Sequence, residues 1–227
     1  DQKYMKKNIY FRYVDDILVI CNVNDAEKIF DDIRADIEKL ELTCHKQGPT
    51  EKSQITLVSK GIEYLGFYLT PSMISVRDSS YARMIQNLLA VLTQFRHAEA
   101  GQRSEDGLCW RLNLKITGCI YKEDRFGWVF FFSLTDNLRQ LARLDSFVTA
   151  QLSKRGLGHL RGKVKKFLRS YHEIRFNLSN THYIPKFDEF EIEDMIKTLS
   201  QAGGKPEEYY RFHLTEWDIR SEFTKLV

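Results

Sequence analysis

The sequence predicts an α+β protein: a small antiparallel sheet of hairpins with one packing helix, then a mostly helical remainder. Three observations carry this. Two aromatic and β-branched runs, "NIYFRYV" and "ILVIC", stand within the first 21 residues, each about the usual length of a strand. A segment with apolar residues at helical spacing follows them directly. From Ser80 onward the apolar period is that of helices.

The first two runs are joined by Asp15 and Asp16, so they read as a β-hairpin with the aspartates at its tip. In "NDAEKIFDDIRADIEKLEL", Ile29, Phe30, Ile33, Ile37 and Leu40 define the apolar face of a helix over 25–41, with Asn24 a candidate N-cap. Its acids Asp31, Asp32 and Asp36 are expected to face solvent. "LTCHKQGPTEKSQITLVS" reads as a short strand, a turn at Gly48–Pro49 and a second strand. "KGIEYLGFYLTPS" reads as one further strand, with Gly66 inside it and a turn at Pro71. "YARMIQNLLAVLTQFRH" is a strong helix and "AEAGQRSEDG" a loop. A turn near Asp124, the run Val129–Phe132 and more helix come next, with the aromatics of "FGWVFFF" expected in the core rather than as a base-stacking platform. "LRGKVKKFLRSYHEIRF" reads as a basic helix, and the chain from Lys186 as a polar, acidic tail with scattered aromatics, partly helical. The expected divisions are 1–75, 76–185 and 186–227.

Composition narrows the function classes. With 43% hydrophobic and 29% charged residues in 227, the chain can bury a sizeable core. No apolar run is long enough to span a bilayer, and no secretory signal stands at the start, so a cytoplasmic protein without a membrane partner is expected. Cys21, Cys44, Cys109 and Cys119 are far apart and form no pair at zinc-ligand spacing, which reads as reduced thiols. The net charge of +3 hides an asymmetry: residues 186–227 hold ten acids against six bases, leaving +7 on 1–185. A basic body fits a polyanionic partner. The sequence begins "DQKYMKKN", without methionine, and enters a strand pattern at Asn8, as the middle of a longer protein would.

Two adjacent carboxylates between apolar strands need a reason, because burying a carboxylate is costly unless a positive charge meets it. The pair is either an exposed turn, where Asp is common, or a cation holder. Magnesium takes hard oxygen ligands, and carboxylates on a rigid hairpin supply them. Neighbouring strand residues face opposite ways, so Asp15 and Asp16 would share such a task unequally.

Tyr-X-Asp-Asp between apolar strands is the catalytic signature of reverse transcriptases, and "FRYVDDILVI" resembles it closely. The downstream order is similar too. The family follows its hairpin with a helix, a lysine-bearing turn, a Leu-Gly strand and a helical thumb; here stand the helix 25–41, "PTEKSQ" with Lys52, "IEYLGFYL" with Leu65–Gly66, and the helix from Ser80. The wording looks most like bacterial reverse transcriptases of the retron, group II intron and defence-associated or abortive-infection types. The resemblance implies the C-terminal part of a right-hand polymerase palm (residues 1–75), a basic thumb and family-specific region (76–185) and a C-terminal extension, in a prokaryotic cytoplasm and in antiviral defence.

By the same resemblance, Asp15 and Asp16 match the metal-binding pair for two Mg²⁺ ions, with Mn²⁺ an alternative, and Asp15 is the more direct ligand. Lys52 matches the lysine that protonates the leaving pyrophosphate, although nearby Lys46 could take that role. Tyr13 and Val14 would line the primer terminus, and Tyr64, Leu65 and Gly66 match the primer grip. Lys154, Arg155, Arg161, Lys163, Lys165, Lys166 and Arg169 fall in a stretch without an acid, suited to phosphate contacts with a template–primer duplex. The implied partners are an RNA template, a DNA primer and product, dNTPs, and a noncoding RNA or a second copy of the chain.

The sequence departs from the family in lacking an earlier Asp-bearing strand, a Pro-Gln-Gly loop and finger-domain basic residues. Asp145 in "RLDSFV" is only loosely similar to the missing aspartate motif and comes after the hairpin. One hairpin cannot hold two metals well, so the chain alone is expected to be a poor polymerase, completed by a preceding segment or a second chain. A non-catalytic nucleic-acid-binding or assembly subunit, and an RNA-templated RNA polymerase, are the alternatives.

Overall fold

In the computed structural model the chain is α+β, mostly helical, with two-, three- and two-stranded antiparallel sheets. Residues 2–6, 8–49, 51–98, 103–202 and 205–227 are described. The chain separates into two compact units, Asp1–Arg77 and Asp78–Val227.

The first unit opens with a single helical turn, α1 (Gln2–Met5), and a hairpin of β1 (Ile9–Tyr13) and β2 (Asp16–Ile20). α2 (Ala26–Glu38) follows a 3-10 turn at Val23–Asp25. Its first turn starts from Asp25 rather than Asn24, and the Asp25 side chain makes no cap hydrogen bond. The apolar positions Ile29, Phe30, Ile33 and Ile37 are only half-buried. β3 (Ile62–Tyr64), β4 (Phe67–Thr70) and β5 (Met73–Val76) form the three-stranded meander. Tyr10 and Val76 are buried, and Tyr10 stacks on the buried Tyr4 at 6.3 Å between ring centroids.

Among the described residues, two hydrophobic clusters of buried side chains lie in the second unit. α3 (Asp78–His97), α4 (Glu105–Thr117), α6 (Leu138–Lys154) and α7 (Phe167–Phe176) present Leu88, Leu92, Leu112, Ile116, Leu144 and Phe167 to the larger one. Each such side chain contributes about 1.5–3 kcal/mol by leaving water. Ser104 caps α4 by accepting from the Gly107 N–H at 3.0 Å. Between these helices lie the hairpin β6 (Cys119–Tyr121) and β7 (Asp124–Phe126) and the short helix α5 (Trp128–Phe131). Gly118 and Gly127 let the hairpin's two ends touch: a Cβ on Gly118 would stand 2.1 Å from the Phe126 carbonyl oxygen, and one on Gly127 2.5 Å from the Gly118 Cα. The smaller cluster joins α4 and β6 to α8 (Ile192–Gln201), α9 (Glu207–His213) and α10 (Glu216–Leu226), through Met195, Ile196, Leu199, Tyr210, Ile219 and Phe223.

Four expectations change here. No described residue of 42–61 lies in a strand; an isolated bridge, Gln47↔Ser53, and a 3-10 turn at Val58–Lys60 stand instead. Gly66 is not inside a strand but in the turn between β3 and β4, because Tyr64 and Phe67 pair directly. The basic helix starts only at Phe167, after a 3-10 turn at Gly158–Gly162. Residues 186–227, expected to be partly helical, carry α8, α9 and α10: Glu191–Asp194 and Thr215–Asp218 capping boxes start α8 and α10, and Arg111 of α4 donates to the Ala202 carbonyl at 2.8 Å. Of the expected loop 98–107, residues 99–102 lie outside the described residues, while Glu105, Asp106 and Gly107 are no loop but the first turn of α4, started by the Ser104 cap.

Candidate functional site

The hairpin of the first unit has a two-residue turn. Tyr13 pairs with Asp16, which leaves Val14 and Asp15 at the tip and makes Asp16 the first residue of β2. Val14 has φ +55°. A positive φ at the first central residue alone is the type II′ pattern, which favours glycine there. A β-branched residue in that conformation is strained by about 1–3 kcal/mol. The Arg12 guanidinium donates to the Val14 carbonyl at 2.8 Å and supports the turn. Val14 is 74% exposed and Tyr13 62% exposed, so packing does not account for the strain, and both aspartates are exposed beside them.

Cross-strand pairs share a face, so Tyr13 and Asp16 lie on the face of Phe11, Leu18, Ile9 and Ile20, while Tyr10 and Val19 lie on the other. The second hairpin meets the first through Tyr64, whose hydroxyl donates to the Asp16 carbonyl at 3.4 Å. Burial, and then the charge of Asp16, raise the Tyr64 phenol above its ordinary value and keep it a donor. Leu65 at φ +48° and Gly66 at φ +81° form that hairpin's I′-type turn. The structure therefore brings Tyr13, Val14, Asp15, Asp16 and Tyr64 into one neighbourhood, with Leu65 and Gly66 at the adjoining turn.

Lys52 is not tied to this group. It lies exposed in the bend 51–53, and among the described residues no hydrogen bond or ion pair joins it to Asp15 or Asp16. Lys46 is exposed in the same irregular segment. Asp36, expected in solvent, accepts from the Tyr4 hydroxyl at 2.6 Å and from Lys3 and Lys39 at 3.0 Å each. These bonds, Tyr4's first, hold its carboxyl well below the usual carboxylate range.

The seven basic positions of the second unit are spread over several elements and mostly engaged. Lys163 pairs with Asp106 at 3.0 Å and Arg169 with Glu173 at 3.5 Å. Lys165 is half-buried, donates to the Tyr183 carbonyl and lies over the Tyr183 ring at 4.9 Å; burial lowers its ammonium below the ordinary lysine value. Lys166 donates to Thr149 Oγ1 at 3.1 Å. Arg155 donates to Gln151, and Arg161 to Ser153 Oγ. Lys154 is exposed at the end of α6. Asp145 receives the Phe167 and Leu168 N–H groups at 2.7 and 3.3 Å, so it caps α7 from another helix. Burial pushes its carboxyl up against the opposing effect of those bonds.

Two hard-oxygen carboxylates on a tight turn suit Mg²⁺ in donor chemistry. Among the described residues no group of three or more His, Cys, Asp or Glu is arranged to hold a metal ion. Arg12 and the Tyr64–Asp16 tie were not foreseen. Arg12, two residues before the turn's first central position, was the local signal available; the tie spans 48 residues and left none. None of the described helices is long and apolar enough to cross a membrane. No protein-family model matches the chain, and no curated protein or solved structure matches it significantly.

Proposed function

We propose that the first unit is the metal-binding end of a reverse-transcriptase palm, acting in RNA-directed DNA synthesis in a prokaryotic cytoplasm. The observation that carries this reading is the Tyr13–Val14–Asp15–Asp16 tip: a strained, exposed β-branched residue beside two exposed carboxylates, Asp15 on the two-residue turn and Asp16 at the start of β2. Backbone strain that packing does not require is typical of functional sites.

In this reading Asp15 and Asp16 would hold Mg²⁺ together with a carboxylate from a preceding segment or a second chain. The chemistry supplied when the ions are bound is activation of the primer 3′-hydroxyl and neutralisation of the leaving pyrophosphate. The chain's own residues then position. Tyr64 fixes the base of the aspartate turn through the Asp16 carbonyl. Arg12 holds the turn's shape. Tyr13 and Val14 offer an exposed surface to a primer terminus. Lys52, on its exposed bend, would act as the pyrophosphate's proton donor only after that segment moves toward the tip. The basic residues of the second unit would contact template–primer phosphates, Lys154 most freely.

The test is Mg²⁺-dependent extension of a DNA primer on an RNA template by the complete protein, with Asp15→Asn as the variant. Synthesis is expected in the wild type and absent in Asp15→Asn; full synthesis by the variant contradicts the assignment. The two-carboxylate set favours one second reading, a non-catalytic nucleic-acid-binding or assembly subunit. That reading gives salt-sensitive binding with no synthesis in either protein.

A further inference from the structure

We propose that the corner of the second unit between the α5–α6 connection and the C-terminal end of α7 is a stacking site for the bases of a single-stranded nucleic acid. Three large apolar side chains stand out of the fold there: Phe131 is 61% exposed, Leu134 64% and Phe176 68%. They belong to one surface. The Arg175 guanidinium donates to the Ser133 carbonyl at 2.7 Å, between Phe131 and Leu134 in the chain, and lies 5.8 Å from the Phe176 ring. His172 tilts against Phe176 at 5.2 Å. The rings are held rather than loose. Phe131 packs edge-on against Phe132 at 4.8 Å, and Phe132 is itself buried against Trp128 at the same distance. A rigid ring loses little entropy when it binds.

The charge of the chain segment that carries the corner favours a polyanion, even with Lys163 paired to Asp106. Residues 125–176 hold eleven Lys and Arg against three acids, Asp136, Asp145 and Glu173. Two of those acids are committed within the fold, Asp145 to the start of α7 and Glu173 to Arg169. Arg139 and Arg143 are exposed on α6. A nucleic acid meets both features at once: its bases offer π faces to Phe131 and Phe176, and its phosphates meet the cations. An acidic protein surface would meet the cations and leave the rings in water. A single strand is required, because paired bases hide their faces in the stack. The inference uses no residue of the aspartate hairpin, and shares with the proposed function only the cations of the second unit.

The experiment is fluorescence anisotropy of the full chain with a labelled oligothymidylate, an oligouridylate and an abasic chain of equal length. The wild type is expected to bind at least one base-bearing chain about fivefold or more tighter than the abasic one. Phe131→Ala/Phe176→Ala should remove that preference while its abasic affinity and unfolding midpoint stay those of the wild type. The thymidine and uridine arms separate DNA from RNA as the source of the bases. Equal affinity of the wild type for all three chains overturns the proposal, as does a preference that survives in the double variant. Binding to no oligonucleotide overturns it in favour of a protein partner. Base preference without primer extension counts against the polymerase reading alone.

Discussion

In Asp78–Val227 the apolar side chains converge on two buried clusters, whereas in Asp1–Arg77 the only buried apolar side chains among the described residues are Tyr4, Tyr10 and Val76. The first unit instead exposes Ile9, Phe11, Tyr13, Val14, Leu40, Leu42 and Leu57, each at half or more of its surface. What organises it is a set of directed polar ties: Tyr4 and Lys3 to Asp36, Tyr68 to the Lys60 carbonyl at 2.7 Å, and Tyr64 to Asp16. Directed ties fix orientation but contribute only about 0.5–1.5 kcal/mol each. The candidate chemistry thus sits on the unit that buries less apolar surface, as expected where functional segments come from the low-stability end of a fold.

The largest effect that would test this contrast is in the second unit. Phe167→Ala should cost about 3–5 kcal/mol in urea unfolding, because Phe167 is fully buried in the larger cluster; a loss below about 1 kcal/mol would contradict the role given to that cluster. Asp145→Ala should cost about 1–2 kcal/mol, since it strips two N–H groups at the start of α7 of their acceptor, with Asp145→Asn intermediate. In the first unit the sign reverses at the tip. Val14→Gly should relieve the positive-φ strain and stabilise the hairpin by up to about 1 kcal/mol, seen as slower amide exchange in β1 and β2; unchanged or faster exchange would mean the tip stores no strain. The smallest effect is one of pH. The folded-state value of Asp36 is depressed, so its contribution is present above its ordinary value of 3.8 and is lost as pH falls through the folded value. The gap in thermal midpoint between wild type and Asp36→Asn should therefore be widest near neutrality and close in strong acid.

The two units were also unequally legible from sequence. Period and length sufficed for the first hairpin, for α2 and for α3, where local pattern and final structure agree. They failed at Leu65–Gly66, because the aromatics Tyr64 and Phe67 make the run look continuous while the chain reverses between them. They failed over 42–61, where β-forming residues such as Ile55, Leu57 and Val58 find no neighbouring strand and lie exposed. The basic stretch contains no acid locally, but Asp106 lies 57 residues from Lys163 and reaches it only through the packing of α4. The acidic segment read only as partly helical because its apolar residues, from Met195 to Phe223, are spread over three short helices, each too polar to announce a core of its own. At the candidate site the carboxylates and their strands were readable. The strain at Val14 and the Tyr64 tie were not, since one is a backbone conformation and the other a long-range contact.

Under the proposed function, the thinly buried unit would carry a metal-dependent active site at its aspartate turn. The most direct test is primer extension on an RNA template by the complete protein in Mg²⁺, wild type against Asp15→Asn, with unfolding curves recorded for both. The account predicts DNA product from the wild type, none above background from Asp15→Asn, and superimposable unfolding curves. DNA synthesis by Asp15→Asn at the wild-type rate would contradict it.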